Sequence, residues 1–311
     1  MNRIGIVFPG QASQYVGMGR DLYDADARVR RLYEVASDRL GEDIAKLSFE
    51  GPAERLKETR FTQPAILLHS LSVLTVMNDD IPAAALTAGH SLGEYASLAL
   101  TKIISYEESV LAVIRRATLM EEACRKNPGT MAAVMGLEEE QIVDICKRAS
   151  VKGVVVPANF NSSNQVVISG SLDGVEEAGR LCRETGAKRV IPLQVGGAFH
   201  SPLMESATAG MKEYLEALKF QEPQTGLVPN VTGTVERKPD RIKELLVAQL
   251  TAPVRWYQTM KYFRDNGIDT LIEIGPGKVL TGLAKRELDG AQMINLDTMQ
   301  DIQNFVAAAA K

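Results

Sequence analysis

Apolar and polar positions change their spacing repeatedly along this chain, and each change predicts an element. Residues 3–8 end in the continuous apolar run Ile4-Gly5-Ile6-Val7-Phe8, the pattern of a strand covered on both faces, and Pro9-Gly10 closes it with a turn. Residues 9–14 read as a turn-rich loop and residues 21–40 as helix. Residues 63–74 are apolar almost throughout, so the helix expected there is a buried one. Ala83-Ala84-Ala85-Leu86-Thr87-Ala88 reads as a short buried strand, although alanine is a poor strand former. Residues 94–100 start a helix, and residues 106–124 form a long amphipathic stretch. Strand alternates with helix, which predicts a mostly parallel sheet flanked by helices.

A second unit starts near Pro128-Gly129. Residues 130–137 are strand-like, and residues 138–149 form a helix with Ile142, Ile145, Cys146 and Ala149 on one face. Val154-Val155-Val156-Pro157-Ala158 and Gln165-Val166-Val167-Ile168-Ser169 follow as two strands, separated by a polar loop over residues 159–164. Asp173 is the expected cap of a helix running to Thr185, with Glu176 as its capping-box partner and Gly186 as its stop. Residues 188–193 close the unit as a strand, and the order β-α-β-β-α-β is the ferredoxin-like pattern. Beyond it Ser201 caps a helix with Pro202 at its first position, and residues 269–274 form a late strand leading through Gly275-Pro276-Gly277 into another helix.

Length and composition narrow the function. A chain of 311 residues suggests about two domains, and 45% hydrophobic and 24% charged residues describe an ordinary globular protein. A net charge of −4 gives no basic balance that would call for nucleic acid. No apolar run approaches the ~20 residues of a membrane span, and the start of the chain lacks a signal peptide's cleavage site. Cys124, Cys146 and Cys182 are an odd set without metal-ligand spacing. They are expected as unpaired thiols in a reducing cytoplasm.

The sharpest chemical signal is Gly89-His90-Ser91-Leu92-Gly93, between the alanine-rich strand and a helix. It fits the Gly-x-Ser-x-Gly nucleophile elbow, where a strained turn lifts a serine hydroxyl clear of the sheet. Ser91 is therefore the candidate nucleophile. The fold class is α/β: a large α/β-hydrolase-like domain with a mostly parallel sheet, over residues 1–127 and 197–311, and an inserted ferredoxin-like subdomain over residues 128–196. A serine needs a base, and there are three histidines. His90 adjoins Ser91 and points elsewhere on such a turn, while His69 sits in the apolar helix as a structural residue. His200 lies on a loop before a capped helix and is the base by elimination. No acid completes a triad by motif; a backbone carbonyl can orient the imidazole instead. Read alone, Arg116 is better explained as a surface charge on its helix. Gly275-Pro276-Gly277-Lys278 lacks the Walker A spacing, which argues against nucleotide hydrolysis.

Several separated motifs, in order and nearly end to end, resemble the malonyl-CoA:acyl-carrier-protein transacylases of fatty-acid and polyketide synthesis. They are Phe8-Pro9-Gly10-Gln11-Ala12-Ser13-Gln14, the elbow with Glu94-Tyr95, and Arg116 before Met120. Asn159-Phe160-Asn161-Ser162, Gly197-Ala198-Phe199-His200-Ser201, Gln249 before Pro253-Val254, and Gly275-Pro276-Gly277 complete the set. The resemblance implies Ser91 as the acylated nucleophile, His200 as base, and Arg116 gripping the free carboxylate of malonate. It also implies an oxyanion hole from the amides of Gln11 and Leu92, with the Gln249 carbonyl holding His200. Phe199, Asn159, Asn161 and Gln165 are expected around the acyl and CoA pocket.

The implied reaction is a ping-pong transfer from malonyl-CoA to the phosphopantetheine thiol of acyl carrier protein, supplying extender units for fatty-acid synthesis. Coenzyme A thioester is a substrate, and no cofactor or metal is expected. The alternatives are a serine esterase or thioesterase, and a trans-acting acyltransferase of a polyketide synthase. Three departures from the family pattern are local. Ala12 stands where glycine is usual, Ala117 follows Arg116 with Arg115 before it, and Ser163-Asn164 replaces Pro-Gly.

Overall fold

The computed structural model describes residues 3–309; Met1, Asn2, Ala310 and Lys311 lie outside the described residues. The strands among these are β1 (Ile4–Phe8), β2 (Leu86–Gly89), β3 (Thr130–Met135), β4 (Val155–Ser162), β5 (Gln165–Gly170), β6 (Arg189–Pro192), β7 (Gly226–Leu227), β8 (Thr270–Ile274) and β9 (Gln292–Leu296). One sheet runs in the order β7-β2-β1-β8-β9 with every pair parallel. The continuous burial of β2 and β8 shows helices covering both faces, as a parallel sheet requires. The second sheet is antiparallel in the order β4-β5-β3-β6.

Alternation along the strands decides how the two sheets join. Ala132, Val134, Val166 and Ile168 pack under the helices Glu139–Ala149 and Leu172–Glu184. Met131, Ala133 and Val167 face the other way, into the main core. That core is built around the helix Thr59–Met77, buried almost all round, and the helix Tyr106–Lys126, closed at its start by a Ser105–Glu108 capping box. Among the described residues no helix is long and apolar enough to cross a membrane.

Three local expectations are corrected. The helix expected over residues 21–40 is two, Arg20–Ala25 and Ala27–Leu40. Between them Asp26 is extended (φ −132°, ψ 125°) and its carboxylate accepts from Arg28 N–H, so an aspartate that competes with helical bonding becomes a cap. Residues 159–164 are not a loop: β4 continues to Ser162 and turns through Ser163-Asn164 alone. Polar side chains are tolerated there because register shifts bend the strand. Its outer edge is also paired, with Val254 N–H donating to Ala158 and Phe160 N–H to Val254. The helix Leu172–Glu184 is capped by Ser171, which accepts from Gly174 N–H at 3.3 Å, and Asp173 lies inside its first turn.

Candidate active site

β2 delivers the chain to Ser91, whose backbone is left-handed at φ +52°. Such a torsion costs a non-glycine residue roughly 1–2 kcal/mol, so neighbours must hold it. A Cβ at Gly89 would overlap the backbone of Gly93, and one at Gly93 would overlap the Phe8 carbonyl. Both glycines are therefore required by space. Asn230 braces the turn from outside the motif: its Nδ2 donates to the Gly89 carbonyl at 2.6 Å and its Oδ1 accepts from Ser91 N–H at 2.7 Å.

The Ser91 hydroxyl lies 2.8 Å from His200 Nε2. His200 Nδ1 lies 2.7 Å from the main-chain carbonyl of Gln249. A carbonyl only accepts, so the proton sits on Nδ1 and Nε2 is left bare to receive the serine proton. Burial first, and then the charge of Arg116, push His200 down to about 3 from 6.5, so the ring is neutral near pH 7.

Arg116, on the helix Tyr106–Lys126, is 1% exposed, whereas Arg115 is only half-buried. Its direct partners are neutral. Nη1 donates to Gln63 Oε1 at 2.5 Å, and Nη2 donates to Gln249 Oε1 at 2.9 Å and to the Ser91 hydroxyl at 3.0 Å. Burial lowers the guanidinium's proton affinity, and the charge of the Glu94 carboxylate opposes that loss. A charge is thus held beside the serine with no carboxylate in direct contact.

These groups open onto a cleft of about 550 Å³ between the two sheets, lined among others by Gln11, Ser91, Arg116, Asn159, Asn161, Gln165, Phe199 and His200. Leu92 and Gln249 lie behind that wall, 1% and 0% exposed. No hydrogen bond among the described residues uses the amides of Gln11 and Leu92, whereas Ser91 N–H is occupied by Asn230. His90 Nε2 donates to Asn161 Oδ1 at 3.0 Å, Asn161 Nδ2 donates to Gln165 Oε1 at 2.9 Å, and the His90 ring packs on Trp256. His69 is buried in its helix with Nε2 2.9 Å from Asp297 Oδ1. Neither of these histidines approaches the serine hydroxyl as His200 does.

Sequence reasoning missed Asn230, Gln63 and Glu94. Gln63 stands before Pro64 inside the buried helix Thr59–Met77, and Glu94 follows the elbow directly, so each carried a polar signal in an apolar setting. Asn230 follows the buried pair Leu227-Val228 and nothing in its own neighbourhood points to Ser91.

A serine on a strand-to-helix elbow, a histidine oriented by a carbonyl and a buried arginine within reach of both define a site of the acyl-transferring class. The chain belongs to the acyl transferase domain family, which matches residues 6–304. The malonyl CoA-acyl carrier protein transacylase of Bacillus subtilis is 40% identical over 287 residues, 92% of this chain and 90% of that one. A crystal structure of an acyl carrier protein S-malonyltransferase from Vibrio cholerae is 40% identical and superposes with a TM-score of 0.92 over 97% of this chain and 99% of its own. A malonyl-transacylase in complex with its type II PKS acyl-carrier protein is 38% identical, with a TM-score of 0.93 over 99% and 100%.

Proposed function

We propose that this chain transfers a malonyl group from malonyl-CoA to the phosphopantetheine thiol of an acyl carrier protein, supplying extender units for fatty-acid synthesis. His200 takes the Ser91 proton as the hydroxyl attacks the thioester carbonyl, and the oxyanion meets the amides of Gln11 and Leu92. One such donor is worth up to ~3–4 kcal/mol. The tetrahedral adduct collapses, the C–S bond breaks, and His200 returns the proton to the departing coenzyme A thiolate. The carrier thiol then attacks the malonyl-serine by the reverse sequence. A thioester is exchanged for a thioester, so the step needs no ATP, metal or further cofactor. Phe199, Asn159, Asn161 and Gln165 form the acyl and CoA pocket in this reading.

The observation that carries the reading is Arg116 Nη2 at 3.0 Å from the Ser91 hydroxyl. An ester on Ser91 places the far carboxylate of a malonyl group within reach of a buried guanidinium whose present partners are neutral. A charge-assisted bond of ~1.5–3 kcal/mol favours that group over acetyl by roughly ten- to a hundred-fold.

In the same reading residues 1–127 and 197–311 are a hydrolase-like catalytic domain and residues 128–196 a ferredoxin-like insert. The parallel order β7-β2-β1-β8-β9 and the antiparallel order β4-β5-β3-β6 under two helices support it. The three unpaired thiols, pushed up to about 11, 12 and 11 by burial, support a cytoplasmic setting.

Intact-mass measurement after incubation with malonyl-CoA, with and without carrier, tests the proposal. A malonyl-sized gain on Ser91 that passes to the carrier is expected, and Ser91→Ala should abolish it. In Arg116→Ala malonyl transfer should fall while acetyl transfer falls less or rises. Discharge to water alone would make the protein a thioesterase.

A further inference from the structure

The buried polar ring beneath Ser91 contains one charged group that the transfer chemistry leaves unused. Glu94 opens the helix behind the elbow and is 1% exposed. Its Oε2 accepts from the Asn230 main-chain N–H at 3.1 Å and from Gln249 Nε2 at 2.8 Å, and Oε1 has no partner among the described residues. A sealed carboxylate is costly unless another charge answers it. Arg116 supplies that charge, and the Gln249 side chain joins the two: its Oε1 accepts from Arg116 Nη2 at 2.9 Å while its Nε2 donates to Glu94. The main-chain carbonyl of the same Gln249 holds His200. A carboxylate only accepts, so Glu94 decides which end of the amide faces it and hence which end faces Arg116.

We infer that Glu94 is the counter-ion of Arg116, relayed through the Gln249 amide, and that it sets how strongly the guanidinium draws an acyl carboxylate. This specificity-determining role rests on the malonyl-transfer reading and deepens it. In the resting site the negative charge one amide away balances Arg116 without occupying the edge that faces Ser91. When a malonyl group arrives, its carboxylate becomes the direct partner, and Glu94 limits how tightly it is held, so the group can pass on to the carrier.

Burial pushes the Glu94 carboxyl up to about 7, against the pull of Asn230 N–H, the Gln249 amide and the Arg116 charge. The titratable and charged groups that face it are Arg116 across the amide and Tyr95 on its own helix, with His200 beyond Gln249. Burial keeps both Tyr95 and His200 neutral near pH 7, leaving Glu94 as the group of this ring that changes charge there.

The test measures acylation of Ser91 by malonyl-CoA and by acetyl-CoA, from pH 6 to 8, in the parental protein, Glu94→Gln and Glu94→Ala. Glutamine keeps the acceptor for Gln249 and Asn230 but drops the charge. The malonyl-over-acetyl ratio should rise about tenfold, the worth of one charge-assisted bond. Alanine drops the acceptor as well, so both acylation rates should fall by about a hundredfold, and the glutamine variant should restore them. In the parental protein the ratio should climb as pH falls through 7, because protonation removes the same charge, and it should stay level in Glu94→Gln. The malonyl carboxylate remains ionised throughout this range. If either variant fails to fold, the parental pH series decides. A ratio unmoved by substitution and flat with pH overturns the role, since a residue that merely stiffens the elbow would slow both acyl groups alike. A parental protein that gains no malonyl mass overturns the transfer reading and this role with it, whereas a normal adduct with an unmoved ratio removes the role of Glu94 alone.

Discussion

Ser91 and His200 meet at the centre of the site with left-handed backbones, φ +52° and +56°, and each is held by a residue far away in sequence. Asn230 ties down the elbow, and the Gln249 carbonyl fixes the imidazole proton. A histidine with its ordinary value near 6.5 would lose its function as a base below that pH. Burial and Arg116 pull His200 down to about 3, so the neutral, competent form persists well below 6.5. Acylation by malonyl-CoA in Glu94→Gln, which removes the titration near 7, should therefore stay level from pH 8 to below 6. An acid limb centred at 6.5 in that variant would contradict the environment assigned to His200. Ala12 is also left-handed, at φ +80°, and is exposed. Ala12→Gly should relieve ~1–2 kcal/mol of backbone strain against ~0.5–1 kcal/mol of chain entropy. A small rise in the urea midpoint is expected, and a fall would show the methyl group to be stabilising.

Local patterns were readable where they depended on neighbours in the chain. The long helix at Tyr106–Lys126 and the strand at Thr270–Ile274 follow from spacing alone. Caps were less readable, because several residues can compete for one helix start. Ser171 and Asp173 both satisfy the sequence rule, and the tertiary path of the chain after β5 selects Ser171. Ser171→Ala should cost ~1 kcal/mol, while Asp173→Ala should stay within ~0.5 kcal/mol. Equal losses in denaturant unfolding would return the cap to Asp173. β4 was hidden for a related reason: its polar residues Asn159, Asn161 and Ser162 imitate a loop, but Asn159 and Asn161 line the cleft while the backbone pairs with β5 and Val254.

The two sheets bring together a cleft whose walls come from both, and two exposed basic pairs sit on segments that supply or lead into its lining. Lys285 and Arg286 are exposed just beyond the helix Val279–Ala284, which lends Val279, Leu280 and Leu283 to the cleft wall. Lys188 and Arg189 are exposed at the start of β6. An acidic carrier protein should dock by these charges. Reversing Lys285 and Arg286 should raise KM for the carrier and leave KM for malonyl-CoA nearly unchanged. The effect should shrink with salt, since exposed charges are screened over ~10 Å at 0.1 M. Repeating the reversal at Lys188 and Arg189 separates the two pairs, and an unchanged carrier KM for both would exclude them as the docking surface.

Short-range order in the chain was enough to place a tight turn at Ser91, because a Cβ at Gly89 would meet the backbone of Gly93 four residues on, whereas Gly93 is confined by the Phe8 carbonyl only once β1 packs beside it. It was also enough to single out His200, since the other histidines lay beside the serine or within an apolar helix. Composition and spacing could not assign Arg116, whose position on a long helix read more readily as a surface charge. Only packing against Gln63, Gln249 and Ser91 turns it inward. The same holds for Asn230 and Glu94. Hydrogen bonds across more than a hundred residues, 139 from Ser91 to Asn230 and 155 from Glu94 to Gln249, leave no periodicity behind, so their partners exist only once the sheets have closed.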